Sequence, residues 1–181
     1  MNNLGIVLTA TLFATLLEGQ EARGRSRIDV VSYQINAEVN PRTQTLAAVA
    51  RIRFQPVDDR LTAISFDLHN SLTVKSVTDG KGTPLTPTRN QQDFQLRIAF
   101  PDTLAKGSDQ EVVITYDGRL SGQEESPVYG VKFAAIKPEY AFLLYPARWF
   151  PVNEYTADRY TSEFTITVPD DYKVIGGPRG R

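Results

Sequence analysis

The chain has no cysteine, one histidine, one tryptophan and one methionine in 181 residues. The missing cysteines exclude disulfides, thiolate nucleophiles and cysteine-held metals, so packing must hold the fold. A serine or cysteine hydrolase, or a zinc site, would have to use the one imidazole, His69. It lies in Asp67-Leu68-His69-Asn70-Ser71, just past an alternating segment, which predicts a turn or surface histidine without a catalytic role. Charge of one sign is lacking too. The formal net charge is -1 with acids and bases interspersed, which leaves no electrostatic footprint for nucleic acid or an anionic membrane. Calcium loops of the Asp-x-Asp-x-Asp-Gly kind are absent, and Gly80 and Gly82 precede no helix that could cradle a phosphate. The adjacent carboxylates Asp58-Asp59, Glu124-Glu125 and Asp170-Asp171 point apart along a strand or loop and read as solvated loop charge rather than a facing acid pair.

Long apolar runs are scarce as well. Residues 4–17 form the one nearly unbroken run, shorter than the roughly 20 residues a helix needs to cross a bilayer and suited to the centre of a signal peptide. Residues 1–27 are therefore expected to be a signal peptide or N-terminal anchor. That predicts a secreted, periplasmic or cell-envelope protein with no other membrane span. Gln20-Glu21-Ala22 is a poor cleavage site and Arg23, Arg25 and Arg27 follow the run, so a buried N-terminal segment or a misplaced start codon stays open as the alternative.

What is abundant is period-2 alternation; apart from residues 4–17, no stretch keeps a 3.6-residue period. Val31, Tyr33, Ile35, Ala37 and Val39 alternate with polar neighbours, Asn40-Pro41-Arg42-Thr43 supplies a turn, and Leu46, Ala48, Ala50, Ile52 and Phe54 alternate again. This is a long β-hairpin. Ile64, Phe66 and Leu68, then residues 72–78 closed by Asp79-Gly80-Lys81-Gly82, give two more strands, the Asp-Gly pair suiting a positive φ. Pro84 and Pro87 demote their surroundings to edge or loop. Phe94, Leu96, Ile98 and Phe100 alternate up to Pro101, and Val112, Ile114 and Tyr116 up to Asp117-Gly118. Residues 122–127 read as an acidic loop, followed by short aromatic segments at 129–133 and 140–145. Strands at this spacing, joined as hairpins, predict an all-β, antiparallel β-sandwich over residues 28–175. Residues 176–181 carry no apolar pattern and are expected to be a disordered or artificial tail.

The least generic wording is Pro146-Ala147-Arg148-Trp149-Phe150-Pro151. Two prolines bracket an aromatic corner that cannot be helical. After it, Phe164, Ile166 and Val168 alternate with Glu163, Thr165 and Thr167, a strand with one buried face, stopped by Pro169-Asp170-Asp171. The cluster Phe142, Tyr145, Trp149, Phe150, Tyr155 and Tyr160 can serve either as core or as a ligand platform, core being the commoner use. Arg148 and Arg159, near Glu154, Asp158 and Glu163, favour structural ion pairs over anion binding.

The run Ala147-Arg148-Trp149-Phe150-Pro151-Val152-Asn153-Glu154, then Asp158-Arg159, then Glu163-Phe164-Thr165-Ile166-Thr167-Val168-Pro169 and Tyr172-Lys173-Val174-Ile175, resembles the end of the N-terminal domain of aminopeptidase N-type zinc metallopeptidases. The opening Val31-Ser32-Tyr33-Gln34-Ile35 and its partner strand at 47–54 resemble the start of the same domain. The resemblance covers about residues 29–175. It implies a saddle-like β domain preceding a thermolysin-like catalytic domain, with zinc belonging to that missing domain and no cofactor, metal ligand or catalytic residue in this chain. The family's zinc motif, His-Glu-x-x-His on a helix, needs two histidines and is not here. The family's Glu or Gln that holds a substrate α-amine would fall in Ala141-Phe142-Leu143-Leu144, where no side chain can accept that hydrogen bond. The implied partners are the downstream catalytic domain and, for the parent, a peptide substrate. Tyr145, Arg148, Trp149, Phe150, Asn153 and Glu154 are the residues expected to face that domain or a ligand. The alternative is a free-standing secreted β-sandwich module binding carbohydrate or a protein.

Overall fold

A computed structural model of the chain describes residues 27–92, 94–122, 133–153 and 159–176. The expected N-terminal segment up to residue 26, the acidic loop from 123 onward with residues 129–132 of the aromatic segment after it, and the end of the tail lie outside them. The described secondary structure is all β. β1 (Ile28–Asn40) and β2 (Thr45–Pro56) form the expected hairpin, with Asn40 opposite Thr45 and alternating side chains buried along both strands. The Asn40 Oδ1 accepts the amides of Arg42 (3.1 Å) and Thr43 (3.4 Å), an Asx turn that fixes the register. β7 (Gln110–Arg119) pairs with β2, β4 (Leu72–Asp79) with β7, and β10 (Thr161–Thr167) with β1, giving a five-stranded sheet of order β10-β1-β2-β7-β4. A second sheet has the order β3-β6-β5, from β3 (Leu61–Asp67), β6 (Gln95–Leu104) and β5 (Thr86–Asn90). β8 (Ala134–Ile136) and β9 (Ala141–Leu143) make a short separate pair.

The two larger sheets bury one cluster between them. Tyr33, Ile35, Leu46, Ile52, Phe54, Ile114 and Tyr116 come from the first sheet, and Leu61, Ile64, Phe66, Leu96 and Ile98 from the second. Period-2 alternation on both sheets builds this sandwich. Gly118 lies where the chain approaches itself: a Cβ there would sit 1.9 Å from the Ser71 carbonyl oxygen.

Four details depart from the sequence expectations. The pairing of β1 with β10 is parallel, Ser32 lying opposite Thr161 and Glu38 opposite Thr167, whereas the other paired strands among the described residues are antiparallel. β10 is an edge strand with no cover beyond it among the described residues, so its apolar face is only half hidden and Phe164 is 43% exposed. β6 runs past Pro101 to Leu104, because the proline falls in the irregular stretch where the register against β3 shifts and no ladder bond is demanded of it. In the turn after β4 the positive φ belongs to Gly82 (88°) and not to the Asp79-Gly80 pair. There the Asp79 carboxylate accepts the amides of Lys81 and Thr83, both at 2.8 Å, and the Thr83 amide above all holds its carboxyl below the usual carboxylate range. Pro87 sits in β5, an edge strand, where a missing donor costs least.

Candidate functional site

The aromatic corner is stitched to the end of β3. Asp67 and Val152 exchange both backbone bonds (2.7 and 3.1 Å), and the His69 amide donates to the Ala147 carbonyl (2.7 Å). Within the corner the Ala147 amide donates to the Phe150 carbonyl (2.9 Å) and the Arg148 amide to those of Pro146 (2.6 Å) and Tyr145 (3.2 Å). Ala147 takes a left-handed φ of 60° to close this turn, a conformation that costs a non-glycine residue of order 1–3 kcal/mol and survives where surrounding contacts over-determine it.

Those contacts are aromatic and buried. Trp149 and Phe150 are 6% and 3% exposed. Trp149 meets Phe150 at 4.8 Å and Phe164 at 5.2 Å, while Phe150 meets Phe164 at 5.5 Å and Tyr33 at 5.8 Å. Two core tyrosines hold the backbone of the corner: the Tyr116 hydroxyl donates to the Trp149 carbonyl (3.0 Å), and the Tyr33 hydroxyl accepts the Asn153 amide (3.0 Å). Asn153 also donates from Nδ2 to the Ser65 carbonyl (3.0 Å). Burial pushes the Tyr116 phenol far above its ordinary value, so it stays neutral and keeps its proton for Trp149.

On the outer flank of the corner the side chains are polar. Arg148 lies over the Phe94 ring, 5.5 Å from its centroid, and His69 stacks on Phe94 at 5.0 Å and 24°. His69 is only 7% exposed, which corrects the expectation of a surface histidine: the turn is there, since the Leu72 amide donates to the His69 carbonyl, but Phe94 covers the ring. Its Nδ1 accepts the Ser71 amide (3.2 Å), which leaves the proton of the neutral imidazole on Nε2. Arg89 reaches from β5 to the carbonyls of His69 (2.6 Å) and Leu72 (3.2 Å); its buried Nη1 has no hydrogen-bond partner among the described residues, and burial lowers its pKa. Among the described residues there is no group of three or more His, Asp or Glu side chains placed to hold a metal ion.

No protein-family model matches the sequence, and no curated protein sequence matches it. Similar folds are found among solved structures. An M1 zinc metallopeptidase from Deinococcus radiodurans, solved with a Tyr-Ser-Ala substrate, superposes with a TM-score of 0.65 at 18% identity over 78% of this chain and 33% of its own. Another structure of an M1 zinc metallopeptidase from that organism gives 0.62 at 19% identity over 81% and 34%, and a two-domain M1 zinc metallopeptidase bound to L-arginine gives 0.63 at 17% over 81% and 34%. The likeness to these structures is one of β fold. The chain spans about a third of the length of those structures.

Within this fold, the residues singled out from the sequence divide into two sets. Trp149, Phe150 and Asn153 come together in the core and are buried. Tyr145 and Arg148 are half-buried, Tyr145 tilted against Phe133 at 4.8 Å. Glu154, with Tyr155 and Asp158, lies outside the described residues. Sequence reasoning missed Arg89 and the stacked pair of Phe94 and His69, which no motif announces. Tyr33 and Tyr116 carried a usable signal: a tyrosine at an inward position of an alternating strand must find a partner for its hydroxyl.

Proposed function

We propose that this chain is the non-catalytic N-terminal domain of an aminopeptidase N-like zinc metallopeptidase, and that it packs against a catalytic domain and covers one side of its active-site cleft. The observation that carries the reading is the shared fold with one third of the M1 zinc metallopeptidase structures. A chain with a single histidine cannot carry the His-Glu-x-x-His zinc motif, so zinc and the peptide-cleaving groups belong to the parent beyond this chain. The buried Trp149 and Phe150 form the rigid backing of the corner, and Arg148 and Tyr145 on its flank are the side chains that meet the next domain. An export signal in residues 1–27 and a location in the cell envelope or outside it belong to the same reading. A binding module that stacks sugars on its tryptophan draws no support from a Trp149 that is 6% exposed.

Two measurements test it together. The purified chain is expected to fold, to bind no stoichiometric zinc and to leave aminoacyl substrates intact, and zinc-dependent hydrolysis by this chain alone would overturn the proposal. Mixed with a catalytic portion encoded downstream, it is expected to form a complex that Arg148→Ala weakens; native protein of the size of this chain, with no such portion encoded, would sink the interdomain role.

A further inference from the structure

The outward face of the five-stranded sheet carries a groove of about 340 Å³ over β10, β1 and β2. This volume lies at the small end of ligand pockets, which run about 300–1,000 Å³. Its walls come from register. Ser32 on β1 lies opposite Arg53 on one side and Thr161 on the other, and Gln34 lies opposite Arg51 and Glu163. The register shift between Val30 and Ser32 is a bulge that breaks the even surface at this point. Arg51, which also lines the groove, is held in an ion pair with Glu111. Arg53, Gln34 and Glu163 make no side-chain hydrogen bond or ion pair among the described residues.

An unpaired cation therefore stands on one bank, an unpaired anion on the other, and a primary amide between them. With strands about 4.8 Å apart, β2 and β10 are about 10 Å apart across β1, and arginine and glutamate side chains reach inward from both. The complement is a ligand with a carboxylate at one end, an ammonium at the other and an amide in the middle. We propose that this groove binds short peptides with both termini free, the carboxylate on Arg53, the ammonium on Glu163 and the peptide bond on Gln34, with the Ser32 and Thr161 hydroxyls beside it. An inorganic anion is disfavoured by Glu163. A sugar would find no exposed ring here, because Tyr33, the aromatic residue lining the groove, is 1% exposed. The inference rests on the groove alone and not on the metallopeptidase reading.

The test is a ¹H–¹⁵N titration of the full chain with L-alanyl-L-alanine, its N-acetyl derivative and its C-terminal amide. The dipeptide is expected to give saturable shifts at the amides of Ser32, Gln34, Arg53 and Glu163. Blocking either terminus is expected to weaken binding about tenfold, the order expected of one exposed charge-assisted contact. Arg53→Gln should weaken the dipeptide while removing the penalty of the C-terminal amide, and Glu163→Gln should do the same for acetylation. No saturable shift at these amides up to about 10 mM dipeptide, ten times a millimolar Kd, would overturn the proposal. Equal binding of the blocked peptides to the unaltered chain would overturn it as well.

Discussion

Replacing Gly118 by alanine probes the closest approach made at any glycine among the described residues. Gly118 pairs with Leu46 on one side and Leu72 on the other, and its φ is not left-handed, so glycine is needed there for closeness and not for backbone freedom. The added Cβ would lie 1.9 Å from the Ser71 oxygen and 2.8 Å from its carbonyl carbon. The obstacle is main chain, with no rotamer to turn, and it must retreat by about 1.1 Å to reach the 3.0 Å below which real Cβ contacts are essentially never found. That retreat pulls on the start of β4 and on the carbonyls of His69 and Leu72 that Arg89 holds. Overpacking of this kind costs about 1–3 kcal/mol, and an immovable partner puts Gly118→Ala at the upper end. The lower entropy of the unfolded alanine chain returns about 0.4–1 kcal/mol. The net expectation is a loss of about 2 kcal/mol, read as a lower urea midpoint by tryptophan emission. Gly176→Ala, with nothing within 4 Å, is the control and should stay within about 0.5 kcal/mol of the parent. A Gly118→Ala protein as stable as that control would refute the close-approach argument.

Trp149→Ala removes the largest side chain of the corner and should cost about 3–5 kcal/mol, measured by thermal or urea unfolding followed by circular dichroism. Tyr116→Phe should cost about 1 kcal/mol through the bond to the Trp149 carbonyl. The same pair of proteins carries a pH signature. The folded Tyr116 pKa is raised, so its contribution is complete below the unfolded value of about 10 and falls by about 1.4 kcal/mol per pH unit above it. Urea midpoints at pH 9 and pH 11 should therefore converge for the parent and Tyr116→Phe, and a constant gap would contradict a buried neutral phenol. Arg148→Ala should cost about 1–2 kcal/mol, the scale of a partly buried cation–π contact, while weakening any complex with a catalytic domain.

Much of this sheet could be read before it was seen, because alternation, Asx turns and proline are local signals. The β1 and β2 hairpin follows from its two alternating runs and Asn40, and the edge position of β5 follows from Pro87. What alternation leaves open is which strand lies beside which. Phe164, Ile166 and Val168 mark a strand face, but their parallel docking on β1 depends on a partner far away in sequence. For His69 the local wording gives the turn that forms, but its burial is conferred by Phe94 from the distant turn that leads into β6. The aromatic corner was legible as a rigid, proline-bracketed core element. Its polar flank was not, since Arg148, Phe94 and Arg89 meet only through tertiary packing.

The parallel docking of β10 on β1 bears on how the molecule assembles. Ser32 can meet Thr161 only after a loop of roughly 130 residues has closed, an entropic cost that the antiparallel hairpin of β1 and β2 does not face. During synthesis the hairpin emerges long before β10, leaving one side of β1 unpaired until nearly all of the described chain has emerged. Phe164 then arrives with β10 and closes over Trp149 and Phe150. In refolding experiments the single tryptophan should reach its native emission with the slowest phase, marking the arrival of the last strand.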